Sequence, residues 1–520
     1  MHFAPALRIF AALWFAAAPA FADDGIGKIE KGVPAANQKA GTPAMIAEPD
    51  FRAVLLAAGI DPLENPSGPI VRFGYLGDGT PTEPDENTYL ILEKNPGGPD
   101  SAFDYGRHFL FQGHEFGRDL AFVTRINLDV PRGDLRRITL LTPVDSSTGL
   151  TGFNNIDGST YNPFTKTLLF TEELASKART GAGRVIEITL EWPPRIRTLE
   201  AFLGLGGYEG VHPDDKGNLY LAEDIGGARN SQTEARQPNS FIYRFLPNDP
   251  ARIEKGGKLQ ALQVLIGGSP IVFNASDPGG DIMSEAQLKL HTPGASYPVK
   301  WITIHSSSEG DTLGFDANAA AKAAGATPFK RPENLAWLPG SHFRTLYFSV
   351  TGDTHGTAGA NPELAARGAW GSIFRLDLDS GDDGQISIFV LGDQEHNSFD
   401  NIAFADKTTL LAAEDRGDTL HSQLNRLDSV WAFSIDAGNT VPANPKAVRF
   451  LALGQDATAV RLAEDNEPTG LFVSNGSPGK EALLGSIESL DGASGFLTVQ
   501  HGDNSVFRIE RAGAPGKASN

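Results

Sequence analysis

The sequence repeats one short pattern six times, and this repetition limits the folds that the chain can adopt. Each copy is a strand-like apolar run that ends in acidic or polar residues. Repeats of this size indicate a repeat architecture. Acids at equivalent points of the repeats should converge, so the pattern predicts a carboxylate-lined pocket that binds cations. The copies are YGRHFLFQGHE (105–115), YNPFTKTLLFTEE (161–173), YEGVHPDDKGNLYLAED (208–224), ENLAWLPGSHFRTLYFSVTGD (333–353), DNIAFADKTTLLAAED (400–415) and GFLTVQHGDN (495–504).

A further strand-like run follows several of the copies, which favours an all-β chain. IYRFLP, SIFRLDLD, SVWAFSID and SVFRIER alternate β-branched and aromatic residues with polar ones. Helix patterns are few: 51–58 is a plausible short helix, and 316–325 is a better one, with Asp316 as N-cap and a glycine stop. Six similar all-β units close most economically as a six-bladed β-propeller around a central channel.

The repeat spacing is roughly fifty to sixty residues where it is uninterrupted, which suits four-stranded blades. The longer gaps, 225–330 and 415–495, are expected to hold loop insertions that cover the channel. We therefore predict a single propeller domain over residues 51–511, with a few short helices.

The two ends of the chain do not resemble the repeats. Residues 1–22 combine a weakly basic start, a short apolar run and a small-residue cleavage signal, so they are predicted to be a signal peptide. Residues 23–50 are rich in Ala, Pro, Gly and Lys and are expected to be a flexible leader, and 512–520 a disordered tail. This places the mature protein in the periplasm or outside the cell.

Composition excludes some partners and some chemistry. The formal net charge of −20 argues against nucleic acid and anionic membranes as partners, and a monomer is the default expectation. The chain has no cysteine, so it has no thiolate nucleophile or thiolate metal ligand. We expect a small molecule as its partner.

The acids of the repeats fall into two sets of candidate metal ligands. One set precedes the first strand of a repeat: Glu209, Glu333, Asp400 and Glu467. The other ends the second strand: Glu172, Glu173, Glu223, Asp224, Glu414 and Asp415, with Glu115 as an earlier relative. Crowded carboxylates repel one another unless a cation or a proton intervenes. Such oxygen ligands suit calcium, magnesium, manganese or ferric iron. Individual acids could instead cap turns or pair with Arg and Lys.

Two further side chains are candidates for the chemistry itself. Arg331 directly precedes Pro332-Glu333, and a guanidinium beside a carboxylate–metal cluster is a natural clamp for a phosphate oxyanion. It could also simply pair with Glu333. His501, in VQHGDN, could be a ligand, an acid or base, or a hydrogen-bonded turn residue.

The order of these motifs resembles the secreted PhoX alkaline phosphatases. GHE, TEE, YEGVHPDDKGNLYLAED, RPEN, FDNIAF, EPTGLFVSNG and VQHGDN follow one another from about residue 105 to 510. The resemblance implies a six-bladed propeller that hydrolyses phosphomonoesters with iron and calcium ions at the channel mouth. It also implies that Glu173, Glu209, Glu333 and Asp400 hold metals and that Arg331 contacts the phosphate.

The sequence departs from this family at one expected metal ligand. The family uses a cysteine sixteen residues before the acid that matches Glu173, and this chain has Asp157 there. A carboxylate in place of a thiolate shifts the preference toward calcium, manganese or magnesium, and makes Asp157 a candidate for both metal binding and catalysis. The prediction is a metal-dependent, phosphatase-like hydrolase. The alternatives are a calcium-dependent lactonase or esterase and a non-catalytic, calcium-stabilised binding propeller.

Overall fold

A computed structural model describes residues 25–34, 45–173, 183–379, 383–435, 445–453, 467–486, 490, 492–501 and 503–512. The predicted signal peptide and nearly all of the predicted tail lie outside these residues. The first described strands are β1 (Met45–Ala47), β2 (Phe51–Ala57), β3 (Pro62–Ser67) and β4 (Ile70–Arg72). No helix within the described ranges is both long and apolar enough to cross a membrane.

Four-stranded antiparallel sheets follow one another along the chain, as the repeats predict. The first blade is β5 (Glu83–Ile91), β6 (His108–Glu115), β7 (Phe122–Asn127) and β8 (Ile138–Leu140). The second is β9 (Ile156–Asn162), β10 (Thr167–Glu172), β11 (Val185–Thr189) and β12 (Ile196–Thr198). The third is β13 (Tyr208–Pro213), β14 (Leu219–Glu223), β15 (Ile242–Pro247) and β16 (Gly256–Ile266).

An insertion separates the third and fourth blades and contains β17 (Ser269–Pro270) and β18 (Ser296–Ser308). The fourth blade is β19 (Pro332–Trp337), β20 (Thr345–Val350), β21 (Ser372–Leu378) and β22 (Gly384–Leu391). β18 pairs with β16 on one side and β22 on the other, so it joins these two blades at their outer edges. This part of the insertion therefore lies at the rim of the propeller and not over the channel.

The last two blades recruit strands from the beginning of the chain. The fifth is β23 (Phe399–Asp406), β24 (Thr409–Glu414), β25 (Ser429–Ser434) and β26 (Ala447–Leu453), with β1 added at its outer edge. The sixth is β27 (Glu467–Ser474), β28 (Ser494–Gln500) and β29 (Ser505–Arg511), completed by β2. The predicted helix at 51–58 is wrong. Pairing of β2 with β29 satisfies its backbone and overrides its modest helix propensity.

Short helices lie in the connections. They are α1 (Glu200–Leu203), α2 (Pro278–Ile282), α3 (Glu285–Leu290), α4 (Ala317–Ala324), α5 (Gly356–Gly359), α6 (Pro362–Ala365) and α7 (Gly417–Leu424). Single 3₁₀ turns cover Leu135–Arg137, Ile253–Lys255 and Lys480–Ala482. α4 confirms the predicted helix, because Asp316 caps it through the Ala319 N–H and Gly325 ends it in a left-handed conformation.

The hydrophobic core is divided into layers between neighbouring blades. Successive side chains of a strand face opposite blades. Phe109 and Phe111 pack with Ile156 and Phe170 of the second blade, whereas Leu110 between them packs toward Phe496 of the sixth. The six first strands of the blades contact one another in a closed ring. The fold is therefore the predicted six-bladed propeller, with the N-terminal end of every inner strand at the same mouth of the channel.

Candidate metal centre at the channel mouth

Each inner strand is interrupted by a register shift close to the mouth of the channel. Bulges of this kind re-aim side chains and are common beside active sites. Five of the six inserted pairs contain an acid, and the sixth has glycine in its place. The pairs are Asp85–Glu86, Asp157–Gly158, Glu209–Gly210, Glu333–Asn334, Asp400–Asn401 and Gly470–Leu471. The bulges therefore direct a ring of carboxylates toward the mouth.

A second set of acids reaches the mouth from the ends of the second strands. Glu115 ends β6, and Glu173, Asp224 and Asp415 directly follow β10, β14 and β24. The two sets meet in three groups, within each of which one carboxylate oxygen per residue lies within 4.8 Å of the others. The groups are Asp85–Glu115–Asp157, Asp157–Glu173–Glu209 and Glu209–Asp224–Glu333.

Two residues belong to more than one group. Asp157 is shared by the first and second groups, and Glu209 by the second and third. A carboxylate has two oxygens, so it can bridge two neighbouring cations. The three groups thus form one continuous row across the first four blades, and Asp157 and Glu209 stand at its two junctions.

Burial and mutual repulsion raise the pKa values of six acids of the row. For each of these six, burial is the largest cause, and neighbouring carboxylates add to it. The pKa of Asp85 is raised to about 7 and that of Glu173 to about 8. The pKa values of Glu115, Asp157, Glu209 and Glu333 are raised well above their ordinary range. The cluster therefore needs protons or cations to hold it together.

Several carboxylate oxygens in the row are buried without a hydrogen-bond partner among the described residues. They are Glu115 Oε1, Asp157 Oδ1 and Asp224 Oδ1. Buried polar atoms normally find a partner, and a bound ion is one explanation for such orphans. The donor set consists of hard oxygens only, which matches the ligands preferred by calcium, magnesium, manganese and ferric iron. These residues fit cation binding.

Arg331 lies against the same row. Its Nε donates a hydrogen bond to Asp224 Oδ2 at 2.7 Å, and its Nη2 lies 3.6 Å from Glu333 Oε1. Burial alone would lower its pKa, but Asp224 and Glu333 raise it above its ordinary value, so the side chain stays charged. Its φ of 60° lies in the sparsely populated left-handed region. The surroundings thus hold this guanidinium in place despite backbone strain.

Three of the predicted ligands are bonded within their own blades and point away from the row. Glu172, Glu223 and Glu414 are the residues just before Glu173, Asp224 and Asp415, so they point to the opposite side of their strands. Glu172 accepts the N–H groups of Asn154 and Arg184, and Glu414 accepts those of Asn397 and Ser429.

Each of these three carboxylates is also bonded to a side chain of the chain itself. Glu223 accepts the Phe241 N–H and the Tyr243 hydroxyl, and Arg184 and Arg416 pair with Glu172 and Glu414. The three acids therefore tie together strand ends within their own blades. Both oxygens of Glu172 and Glu414 accept hydrogen bonds from the protein, whereas Glu223 does so through Oε2 only. None of the three acids belongs to one of the three carboxylate groups.

The remaining candidates lie near the row without entering one of the three groups. Asp400 accepts a hydrogen bond from Asn401, and its pKa is raised by burial and by Asp85 and Asp415. Glu467 is the first residue of β27 and pairs in register with Gln500. His501 follows β28, and its Nε2 lies 3.7 Å from Glu83 Oε1.

Sequence reasoning found Glu115 of the first blade but missed the acids on the inner strand of that blade. Asp85 belongs to the first group, and its oxygens accept hydrogen bonds from Thr469 and Gln500 of the sixth blade. Its neighbour Glu86 accepts a hydrogen bond from Asn334 of the fourth blade, directly across the channel. The signal was present: PDEN at 84–87 resembles PEN at 332–334.

Comparison with known proteins places this chain in a family. The model of the family described as alkaline phosphatase PhoX matches residues 159–475. The fold is similar to that of Pseudomonas fluorescens PhoX in complex with vanadate, a transition state analogue. The TM-score is 0.53 at 14% identity, covering 94% of this chain and 98% of that chain.

Other similarities are more remote. A structure of S. cerevisiae Dbp5 bound to Nup159 and Gle1 gives a TM-score of 0.32 at 10% identity, covering 92% of this chain and 99% of that chain. The WD40 domain of SCAP from fission yeast gives a TM-score of 0.27 at 7% identity, covering 92% of this chain and 98% of that chain. No curated protein matches the sequence. The family match spans more than half of the sequence, and the chain therefore belongs to the PhoX alkaline phosphatase family.

Proposed function

We propose that this protein is a metal-dependent phosphatase that hydrolyses small phosphomonoesters at the channel mouth. The observation that carries the proposal is the row of three overlapping carboxylate groups with Arg331 beside it. Family membership supports phosphatase-type hydrolysis. The orphaned oxygens of Glu115, Asp157 and Asp224 support the dependence on cations.

Calcium is the cation that we propose first, with manganese or iron as the other candidates. The proposed ligands are Asp85, Glu115, Asp157, Glu173, Glu209, Asp224 and Glu333, with Asp400 adjoining. Bound cations would polarise the phosphoryl oxygens and lower the pKa of a bound water. Asp157 stands at a junction of the row, so the hard carboxylate in place of a thiolate favours calcium or manganese over iron.

The chain's own residues have separate roles in this proposal. The guanidinium of Arg331 binds the non-bridging oxygens of the phosphoryl group and stabilises the charge that they carry in the transition state. Asp224 and Glu333 hold Arg331 in position through the ion pairs described above. His501 remains a candidate acid or base, and its place beside Glu83 sets it apart from the row.

The setting of the reaction is proposed from sequence alone. The leader predicted for residues 1–22 would place the enzyme in the periplasm or outside the cell, where calcium is abundant. We further propose a monomer with neither nucleic acid nor a membrane as a partner, in keeping with the net charge of −20.

The test is hydrolysis of p-nitrophenyl phosphate by chelator-stripped protein as calcium, manganese and iron are returned singly and together. Glu209→Gln should lose both bound cation, measured by elemental analysis, and most of the hydrolysis. Glu187→Gln is the matched control, since Glu187 is a buried acid of the second blade that pairs with Arg197 away from the channel. Glu187→Gln should keep both the bound cation and the hydrolysis of p-nitrophenyl phosphate.

Two results would contradict the proposal. If Glu209→Gln retained wild-type cation content and turnover, the row would not be the active centre. If no cation restored hydrolysis of any phosphomonoester, yet calcium still raised the unfolding temperature, a calcium-stabilised binding propeller would replace it. Hydrolysis of a lactone or carboxylic ester that is insensitive to Arg331→Gln would indicate the lactonase alternative.

A further inference from the structure

A second arginine stands beside the candidate metal centre on a separate element. The loop 225–240 leaves the third blade directly after Asp224 and turns back on itself as a small hairpin. Arg229 and Arg236 form a backbone bridge across this hairpin, and the Asn230 N–H donates to the Ala235 carbonyl. Arg236 thus lies in the second half of this hairpin, in a loop that directly follows Asp224 of the row.

The backbone of Arg236 is fixed to the segment that carries Arg331. Its N–H donates to Asp353 Oδ1 at 2.8 Å, and Asp353 Oδ2 accepts a hydrogen bond from Lys330 Nζ at 2.8 Å. Lys330 and Asp353 are both buried. Because Lys330 directly precedes Arg331, one buried ion pair holds both arginine-bearing segments.

The neighbour of Arg236 in the hairpin is packed in a small apolar cluster. Ala235 is fully buried with Ile282 of α2, Ala358 of α5, Leu364 of α6 and Ala369 of the loop after α6. The arm is therefore part of a packed wall at the mouth of the channel, and the position of Arg236 is set by burial as well as by hydrogen bonds.

The guanidinium of Arg236 is half-buried, and no acid among the residues that the structure describes forms an ion pair with it. Within the described part of the chain, none of its nitrogens has a hydrogen-bond acceptor. Its Nη1 lies beside Gly226, where an added Cβ would approach it to 3.1 Å. Burial and then the like charges of Arg331 and Arg229 lower its pKa, while Asp224 and Asp353 oppose this. The absence of a side chain at Gly226 leaves room for this cation next to the row.

A half-buried cation without a paired acid, beside another cation, is an anion-binding position. Arg331 is already paired with Asp224 and Glu333 and faces the proposed cations. Arg236 is carried by the wall and not by an inner strand, so it faces a part of the substrate farther from the reacting phosphorus.

We infer that Arg236 binds a second anionic group, on the leaving group of the substrate. This inference rests on the proposed phosphatase function. The preferred substrates are then phosphomonoesters whose alcohol portion carries a carboxylate or a further phosphate, and Arg236 is a specificity-determining residue. A carboxylate and a phosphate can each accept bidentate hydrogen bonds from a guanidinium.

The test compares two substrates that differ in one group. 3-Phosphoglycerate carries a carboxylate where glycerol 3-phosphate carries a hydroxymethyl group. Arg236→Gln should lower kcat/KM for 3-phosphoglycerate roughly 10- to 100-fold, mainly through KM, as expected for loss of a charge-assisted hydrogen bond. It should change kcat/KM for glycerol 3-phosphate less than about threefold, because no contact with the reacting phosphate is removed.

Arg229→Gln is the matched control. It removes the same charge from the same loop, but Arg229 is exposed and paired with Glu234. In this variant, kcat/KM for 3-phosphoglycerate and kcat/KM for glycerol 3-phosphate should both stay at the wild-type value. An equal loss for both substrates in Arg236→Gln, or no loss for either, would overturn the inference. So would the same selective loss in Arg229→Gln, since a long-range field would then explain the preference.

The anion-binding role of Arg236 can still be tested if the protein does not hydrolyse phosphomonoesters. Where neither substrate is turned over, dissociation constants of the same two compounds for calcium-loaded protein are measured by calorimetry. Tighter binding of 3-phosphoglycerate that is lost in Arg236→Gln supports the anion position without catalysis. Equal binding of both compounds to the wild-type protein contradicts it. Unchanged unfolding temperatures of both variants confirm that the wall is intact.

Discussion

Replacing Glu173 by Gln should stabilise the cation-free protein at alkaline pH, although a partly buried side chain is altered. Burial, Asp224 and Asp85 raise the pKa of Glu173 from 4.5 to about 8, against the opposing effect of Arg331. A raised carboxyl pKa means that the folded state holds a proton that the unfolded chain has released. Stability contributed by that proton is complete below about pH 4.5 and is lost as the pH rises to about 8.

The magnitude follows from this interval. Between 4.5 and about 8 the unfolding free energy falls by about 1.4 kcal/mol per pH unit, or about 5 kcal/mol in all for this group. A glutamine resembles the protonated acid and does not titrate. Glu173→Gln should therefore match the wild type at pH 5 and exceed it by several kcal/mol at pH 8.5.

The assay is urea unfolding in chelator at pH 5 and pH 8.5, followed by the same series in calcium. Calcium at about 100 times its dissociation constant should stabilise the wild type by about 3 kcal/mol. The variant should gain less, because it has lost a ligand. Glu187→Gln is the control and should be less stable than the wild type at both pH values, because it removes the buried acid of the Arg197 pair and leaves Arg197 only the more exposed Glu254.

The reasoning is refuted if the urea midpoints of Glu173→Gln and the wild type differ equally at the two pH values. Repulsion among the channel acids would then not limit the stability of the cation-free protein. If calcium raised the unfolding free energy of Glu173→Gln as much as that of the wild type, this would separately show that Glu173 is not a ligand.

Three further predictions concern other parts of the site and its support. Arg331→Lys keeps the charge but loses the planar fork, so kcat/KM for p-nitrophenyl phosphate should fall roughly 10- to 100-fold with cation content unchanged in elemental analysis; equal activity would contradict its role. Asp157→Cys should raise bound iron or zinc relative to calcium, measured by elemental analysis after dialysis against equal concentrations; an unchanged ratio would show that this junction does not set metal preference. Glu414→Gln should cost about 3–5 kcal/mol in urea unfolding, because it breaks a buried pair with Arg416. Its cation content should not change, and a loss of cation would return Glu414 to the row.

Chain repetition was enough to predict the architecture. Strands such as HFLFQGHE and TLLFTE are buried on both faces, and the short apolar runs FLF and LLF within them are visible in the sequence. Acids at the same point of each copy converge because every inner strand begins at the same mouth. The location of the site therefore follows from the sequence.

The pairing of strands from opposite ends of the chain could not be predicted from the repeats. The apolar segment at 51–58 has the composition of a helix, yet it pairs with β29 and completes the last blade. Its partner lies more than 450 residues later, as in the register Phe51↔Arg511. Local propensity differs between helix and strand by little, so a sheet edge that needs a partner decides the outcome.

The sequence by itself determined a cysteine-free propeller with a carboxylate-lined mouth and an arginine beside it. Only the tertiary structure decided which acids face that mouth. Glu172 and Glu173 are chemically identical neighbours, but successive side chains of a strand point to opposite sides, and the bulges reset this alternation in every inner strand. The register of pairing, which no single repeat contains, thus separates acids that support a blade from acids that line the mouth and are proposed to hold a cation.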